Sequence, residues 1–481
     1  MTPPVIVWFR DDLRLADNPA LSAAADSGAP VLAVYVHDET LEKPPGAASL
    51  WWLHHSLRKL STALSDSGGA MILRRGNTAC CLREFARETS AQTIFWNRSH
   101  EPAERRREAE VAAEMAEIGV EVSRHSTGLL FDPGSIRTKT GGQYSVFTPF
   151  YRACLAAPPP AEPLTVPGKL TLPKTLPGSD LLDDWQLLPV RPDWAGGLRD
   201  TWTPGEAGAR QALDDFLDDA VRDYRQGRDI PGRQNTSRLS PHLHFGELSS
   251  RQVWHVTKFR VDRSNGGPVA VNGDAFLREL VWREFSCHLL SRTPTLPTEP
   301  LKPEFADFPW ATDYADRLKA WQTGQTGYPI IDAGMRELWA TGWMHNRVRM
   351  VTASFLIKHL LIPWQEGERW FWDTLVDADL ANNSASWQWV AGCGADAAPF
   401  FRVFNPIIQG EKFDSDGAYV RKWVPEVAAL PDKYLHKPWE APDDLLKDAG
   451  LRPGQDYPRP VVDHKTAREK ALDAFKSLKK D

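Results

Sequence analysis

No run of eighteen apolar residues occurs in the 481-residue chain, so nothing in it reads as a helix that crosses a bilayer. Cysteine is scarce and unpaired. Cys80, Cys81, Cys154, Cys287 and Cys393 are odd in number and contain no C-x-x-C spacing, which argues against disulfides and a thiolate zinc site and fits a reducing cytoplasm. The opening "MTPPVIVWFRDD" puts charge straight after a short apolar run, unlike a secretory signal. The P-loop, HExxH and zinc-ligand spacings are absent, so no metal is expected. Positive charge is in deficit, with Lys+Arg 57 against Asp+Glu 63 and a net charge of −6. Whole-chain charge therefore argues mildly against a nucleic-acid partner, although a local basic face can still bind one. Internal repeats and long low-complexity tracts are also missing.

What is present is organised in three textures. In the first third, "VIVWF" (5–9), "VLAVYV" (31–36), "AMILR" (70–74), "TIFW" (93–96) and "VEVS" (120–123) read as short strands. Helical patterns lie between them, such as "SLWWLHHSLRKLSTAL" (49–64), "CLREFARE" (81–88) and "PAERRREAEVAAEMAEIG" (102–119). Alternation of this kind predicts a parallel, doubly wound α/β sheet over residues 1–130. The turn after the first strand, "RDDLRLADN", has no G-x-G-x-x-G, so the dinucleotide fingerprint is missing. Residues 131–204 form a connector with nine prolines between Pro158 and Pro192, too many for helix or central strand. From Gly205 to residue 481 long amphipathic segments punctuated by Gly and Pro predict an all-helical domain. Twenty tryptophans suit large helical interfaces, and their positions must decide whether they do more.

The densest chemistry lies in "DADLANNSASWQW" (377–389), which crowds acids, adjacent asparagines and indoles together. At 224–246, "YRQGRDIPGRQNTSRLSPHLHFG" sets Thr236, Ser237 and Ser240 at a helix entrance, where hydroxyls and free N–H groups suit phosphate oxygens or an ordinary N-cap. "ELVWRE" puts Glu279, Trp282 and Arg283 on one helical face. "WMHNRVRM" puts Asn346 and Met350 on another, flanked by Arg347 and Arg349.

Taken in order, "TSRLSPHL", "LVWREF", "GYPIIDAGMREL", "GWMHNRVRM", "DADLANN", "WQW" and "FRVFNP" resemble the DNA photolyase and cryptochrome family through nearly all of residues 205–440. "VWFRDDLRLADNPAL" resembles that family's opening strand and turn. The resemblance implies a Rossmann-like domain, a long connector and a helical domain that holds FAD. It places Tyr224, Thr236, Ser237, Arg238, Leu239 and Ser240 at the FAD phosphates and ribityl chain, and Glu279, Arg283, Asn346, Arg349, Asp377, Ala378, Asp379 and Asn383 along the cofactor. Arg349 and Asp377 match an ion pair beside the isoalloxazine, and Asn383 matches the residue facing flavin N5.

Trp387, Trp364 and Trp310 match the tryptophans that carry electrons to photoexcited flavin, with Trp370 and Trp372 as other routes. Glu279, Trp282, Asn346, Met350 and Trp389 match the pocket for a cyclobutane pyrimidine dimer, and Arg228, Arg347 and Arg402 match positions near the DNA backbone. The implied activity is light-driven repair of such dimers in UV-damaged DNA by a monomer. A cryptochrome photoreceptor is the first alternative. Asn383 weighs against it, since receptors carry Asp or Cys there, and so does the expected lack of an extended C-terminal tail. A (6-4) photolyase is the second; Met350 stands where that enzyme goes with histidine. A dark flavin oxidoreductase would need a nicotinamide site that no residues supply. For the antenna chromophore, "NRSHEPAERRRE" overlaps the family's binding segment, with Ala103 where folate binders often have Asn and Glu104 as a contact. Methenyltetrahydrofolate is expected ahead of a deazaflavin.

Overall fold

A computed structural model describes residues 2–126, 128–396 and 401–478. The chain forms two compact units. One comprises residues 1–195, 199–222 and 237–294, and the other comprises 196–198, 223–236 and 295–481. This division follows packing in space, so residues 205–222 and 237–294 go with the sheet.

The sheet unit is built on five parallel strands: β1 (Val5–Phe9), β2 (Val31–His37), β3 (Met71–Arg75), β4 (Thr93–Asn97) and β5 (Glu121–His125), ordered β3-β2-β1-β4-β5. Helices α1 (Pro19–Asp26), α2 (Ala47–Asp66), α3 (Thr78–Thr89) and α4 (Pro102–Glu117) alternate with them. Every residue of β1 is buried, as expected for a central strand covered on both faces. Both edges carry charge or cover. Along β3 the connector supplies the cover: the Asp180 N–H donates to the Leu73 carbonyl at 2.8 Å, and the Arg75 N–H donates to Asp180 Oδ2 at 2.8 Å. The same connector contributes α5 (Phe147–Ala156), after which residues 157–181 hold no regular element. Helices α6 (Glu206–Asp218), α7 (Ser250–Arg263) and α8 (Pro268–Arg292) are the longer helices that the later sequence adds to this unit.

The helical unit has α9 (Pro329–Thr341), α10 (Asn346–Ser354), α11 (Trp364–Thr374), α12 (Leu380–Ala391), α13 (Pro406–Phe413), α14 (Ala418–Trp423) and α15 (His464–Ser477). Between Ile331 and Leu361 the helical run is broken at Gly342, whose φ of +67° ends α9. Among the described residues no strand follows β5, apart from a single bridge between Pro453 and Tyr457. The core of this unit is aromatic, with Trp321, Trp364, Trp387, Phe355 and Phe371 buried together.

Candidate functional site

The stretch at 377–389 is a loop that turns into a helix. Asp379 is the N-cap of α12, accepting from the Asn382 N–H at 2.8 Å and from Asn382 Nδ2 at 2.7 Å. Asp377 points the other way. Both its oxygens accept from Arg349 Nη2, at 3.1 and 2.8 Å, and Arg349 Nε donates to the Met344 carbonyl at 2.7 Å. The Asp377 side chain is 3% exposed and that of Arg349 24% exposed, so the pair is anchored at the buried acid. Ala378, between the two acids, is buried.

Asn383, one turn into α12, is also buried. Its Nδ2 donates to the Glu368 carbonyl at 3.1 Å and to Glu368 Oε1 at 2.9 Å. Both partners are acceptors, so the amide must turn its NH2 toward α11 and its oxygen away. No donor among the described residues reaches that oxygen. It can therefore accept from a ligand N–H, which fits the reduced form of a flavin at N5. Glu368 has no local sequence signal, because its partner lies fifteen residues away on another helix.

Helix α10 starts at an unusual cap. His345 Nδ1 accepts from the Arg347 N–H at 3.2 Å, which needs an unprotonated ring nitrogen. Burial holds this histidine neutral, lowering its pKa to about 4. Arg347 donates to Asp229 Oδ1 at 2.8 Å, lies over the Phe413 ring at 4.4 Å and approaches Met350 Sδ at 3.9 Å. The structure thus brings Arg347 and Met350 together. Asn346 and Arg402 are exposed, and Arg228 lies over the Tyr224 ring at 5.2 Å.

Tyr224 is buried at the start of a one-turn helix, Tyr224–Gly227. A side chain on Gly227 would run into Asn235, with a Cβ 2.5 Å from its carboxamide carbon, so only glycine lets this segment fold back on itself. In the sheet unit, Ser240 opens the helix Ser240–His244 after Leu239, and no side chain caps it. The ordinary N-cap reading of these hydroxyls is therefore not what the structure adopts. Ser237 Oγ accepts only a long 3.5 Å bond from the Leu239 N–H, and Arg238 takes a left-handed φ of +52°. A left-handed backbone at Arg238 and hydroxyls that make no shorter hydrogen bond among the described residues together fit an oxygen-rich ligand.

Also in the sheet unit, Glu279, Trp282 and Arg283 lie on α8 as expected, each half-buried. Arg283 Nη2 donates to the Leu243 carbonyl at 3.1 Å. The next residue, Glu284, is fully buried, accepts from the Leu130 N–H at 3.0 Å, and has its pKa pushed up to about 7 by burial. With a second, longer bond from the Phe131 N–H at 3.4 Å, it ties down the point where the connector begins.

The expected electron-carrying tryptophans share the helical core. Trp387 and Trp364 are buried, and Trp310 packs at the margin of the same core, 4.3 Å from the Phe308 ring. Trp387 sits against Gly367 so closely that a Cβ there would come within 2.1 Å of the ring. It makes edge contacts with Phe371 at 5.0 Å and Trp321 at 6.3 Å. Trp370 stacks on Trp339 at 6.0 Å, and Trp339 is 59% exposed. Trp389 donates its Nε1 to the Asp396 carbonyl at 3.1 Å. In the antenna-like segment, Glu104 pairs with Arg107 at 2.8 Å and with Arg10 at 3.4 Å. Arg10 also donates to the Asn97 carbonyl at 2.5 Å and to Glu108 at 2.7 Å.

Residues 5–167 match the model of the DNA photolyase family, and residues 276–477 match that of the FAD binding domain of DNA photolyase. The chain is 51% identical to a deoxyribodipyrimidine photo-lyase of Agrobacterium fabrum, over 100% of this chain and 99% of that one. It is 37% identical to Cryptochrome-1 of Arabidopsis thaliana, over 98% of this chain and 70% of the plant protein. The crystal structure of a bacterial class III photolyase from Agrobacterium tumefaciens superposes with a TM-score of 0.96 at 51% identity, covering 100% of this chain and 98% of that one. With the sheet, the helical core and the Asn383 and Arg349 environments already in place, these matches make the chain a member of the DNA photolyase and cryptochrome family.

Proposed function

We propose that the chain is a deoxyribodipyrimidine photo-lyase, which splits cyclobutane pyrimidine dimers in UV-damaged DNA back to monomeric pyrimidines under light. The orientation of Asn383 carries this reading. A carboxamide oxygen held away from Glu368 accepts a hydrogen bond without adding charge, and that favours a flavin protonated at N5. Bound FAD supplies one-electron chemistry to the dimer when it is reduced and photoexcited.

The protein's own residues hold and orient. Arg349, anchored by Asp377, places positive charge beside the reduced isoalloxazine. Asp379 fixes the start of α12 and with it Asn383. Tyr224, Thr236, Ser237, Arg238, Leu239 and Ser240 bind the phosphates and ribityl chain, and Arg283 and Asn346 contact the cofactor. Trp387, Trp364 and Trp310 relay electrons for photoreduction. Trp282 and Trp389 stack on the extruded lesion, Met350 fills apolar space beside it, and Glu279 hydrogen-bonds the base edge. Arg228, Arg347 and Arg402 contact DNA phosphates.

Residues 1–130 form the antenna domain, 131–204 the connector and 205–481 the catalytic domain. The antenna is methenyltetrahydrofolate, with a deazaflavin as the other option, and the relation to the Agrobacterium enzyme favours class III. The protein works as a cytoplasmic monomer. Among the described residues no helix is long and apolar enough to cross a membrane.

The test is illumination of the reduced, FAD-loaded protein with oligonucleotides that carry a cyclobutane dimer, a (6-4) product or no lesion. Restoration of pyrimidine absorbance with the dimer alone is expected. Repair confined to the (6-4) product would assign the sister enzyme, and no repair with reversible flavin photochemistry would assign a receptor.

A further inference from the structure

Trp282 does not stand alone on α8. Its ring lies face to face with Phe147, centroids 3.5 Å apart and planes 8° from parallel. Phe147 is the first residue of α5 and is 0% exposed. Phe147 also stacks with Tyr151, at 5.7 Å and 19°. The Arg278 guanidinium lies 5.5 Å from the Phe147 ring and 5.6 Å from the Tyr151 ring. Phe285 closes the edge, perpendicular to both members of the pair at 5.9 Å. On α5, Phe147, Phe150 and Tyr151 share one face; on α8, Arg278, Trp282 and Phe285 do. The contact is therefore a packed seam between the connector and α8.

Ring quadrupoles favour offset or edge-on pairs over a sandwich with full overlap. The near-complete overlap of Phe147 and Trp282 is thus imposed by the way α5 docks, and the geometry of the indole is set from outside α8. One face of Trp282 is occupied for good. The other is held in a fixed plane, since any turn of the indole would drive it into Phe147 or Phe285.

We infer that Phe147 is a positioning residue for lesion recognition: it locks Trp282 as a one-sided stacking platform. This rests on the reading of Trp282 as a lesion contact. An indole already immobilised loses little freedom when a base stacks on it, and such preorganisation is worth about two- to tenfold in affinity. The connector thereby contributes to substrate choice through a residue that touches no substrate.

The test is a double-mutant cycle on the full-length, FAD-loaded protein, with Phe147→Ala, Trp282→Ala and the double variant. Each is titrated against duplex oligonucleotides with and without a cyclobutane dimer. Phe147→Ala should weaken binding of dimer DNA about two- to tenfold and leave undamaged DNA unaffected, and it should cost nothing further once Trp282 is gone. An additive loss in the double variant, an equal loss on undamaged DNA, or no loss at all would overturn the inference. Should the alanine variant not fold, Phe147→Leu keeps apolar bulk without a flat ring and must show the same non-additivity. If Trp282→Ala itself leaves dimer affinity unchanged, it is the platform reading of Trp282 that fails.

Discussion

Two acidic turns of this molecule look alike as text and differ in what they do. "RLADNPAL" after β1 and "DADLANNSA" before α12 each set aspartates and asparagines at the start of a helix and pair an acid with an arginine. In the sheet unit the pairing is complete. Asp17 is 0% exposed and receives Arg251 through Nη2 at 3.0 Å and Nε at 3.1 Å, as well as the Ser249 hydroxyl. Arg14, equally buried, donates to the Asp17 and Gly246 carbonyls. Asn18 caps α1, and its Nδ2 is spent on the Asp12 and Arg14 carbonyls. Nothing is left over. In the helical unit Asp377 is satisfied but Arg349 stays partly exposed, and no donor among the described residues reaches the Asn383 oxygen. Buried polar groups are normally paired within the fold, so a group oriented by the protein yet unpaired marks the working turn.

The comparison can be broken most forcefully at Asp17. Replacing it with Asn leaves Arg251 as an uncompensated buried charge, which costs about 3–5 kcal/mol. Thermal unfolding should show the loss, while the FAD spectrum of the protein that remains folded should be unchanged.

Acid separates a helix cap of the sheet unit from one of the helical unit next. Asn18 caps α1 at any pH, but His345 caps α10 only when neutral. Its folded pKa of about 4 lies below the usual value near 6.5, so the unfolded chain binds the extra proton first. The contribution is therefore fully present above about pH 6.5 and is lost as pH falls toward 4, by roughly 3 kcal/mol if the group acts alone. Unfolding free energy measured across that range should slope less in His345→Asn, which supplies a cap that cannot titrate.

Asn383→Asp comes third. It sets a carboxylate where the amide now donates to Glu368 Oε1 at 2.9 Å, replacing a charge-assisted bond with repulsion and adding negative charge beside a flavin that must become anionic. The like charge beside the flavin should shift the redox equilibrium toward oxidised FAD by about tenfold, roughly 1.4 kcal/mol, read by redox titration. The smallest effect on repair belongs to Trp387→Phe. Light-driven reduction of oxidised FAD should slow, because Phe is far harder to oxidise, yet chemically reduced enzyme should split dimers as before.

Much of this was legible in the sequence because it is local. The five strands follow short apolar runs to within a residue or two, and Glu279, Trp282 and Arg283 fall on one face because a helix has a fixed period. Breaks in the helical domain were marked by Gly342 and by the acids before Leu380. What stayed hidden depends on partners remote in sequence. Glu368 orients Asn383 from another helix, His345 caps α10 with a residue that is no usual cap, and Phe147 reaches Trp282 across 135 positions (282 − 147). The hydroxyls at 236–240 were ambiguous for the opposite reason, since their spacing suits a cap as well as a phosphate site, and only the fold shows that no side chain caps the helix start at Leu239.

The most direct test of the contrast is the number of dimers split per absorbed photon and per folded molecule, measured side by side for Asp17→Asn and Asn383→Asp with pre-reduced FAD. The account predicts that Asp17→Asn, though less stable, keeps the parent yield in its folded fraction, while Asn383→Asp loses most of the yield of its own folded fraction. A normal yield in Asn383→Asp, or a yield lost in folded Asp17→Asn, would contradict it.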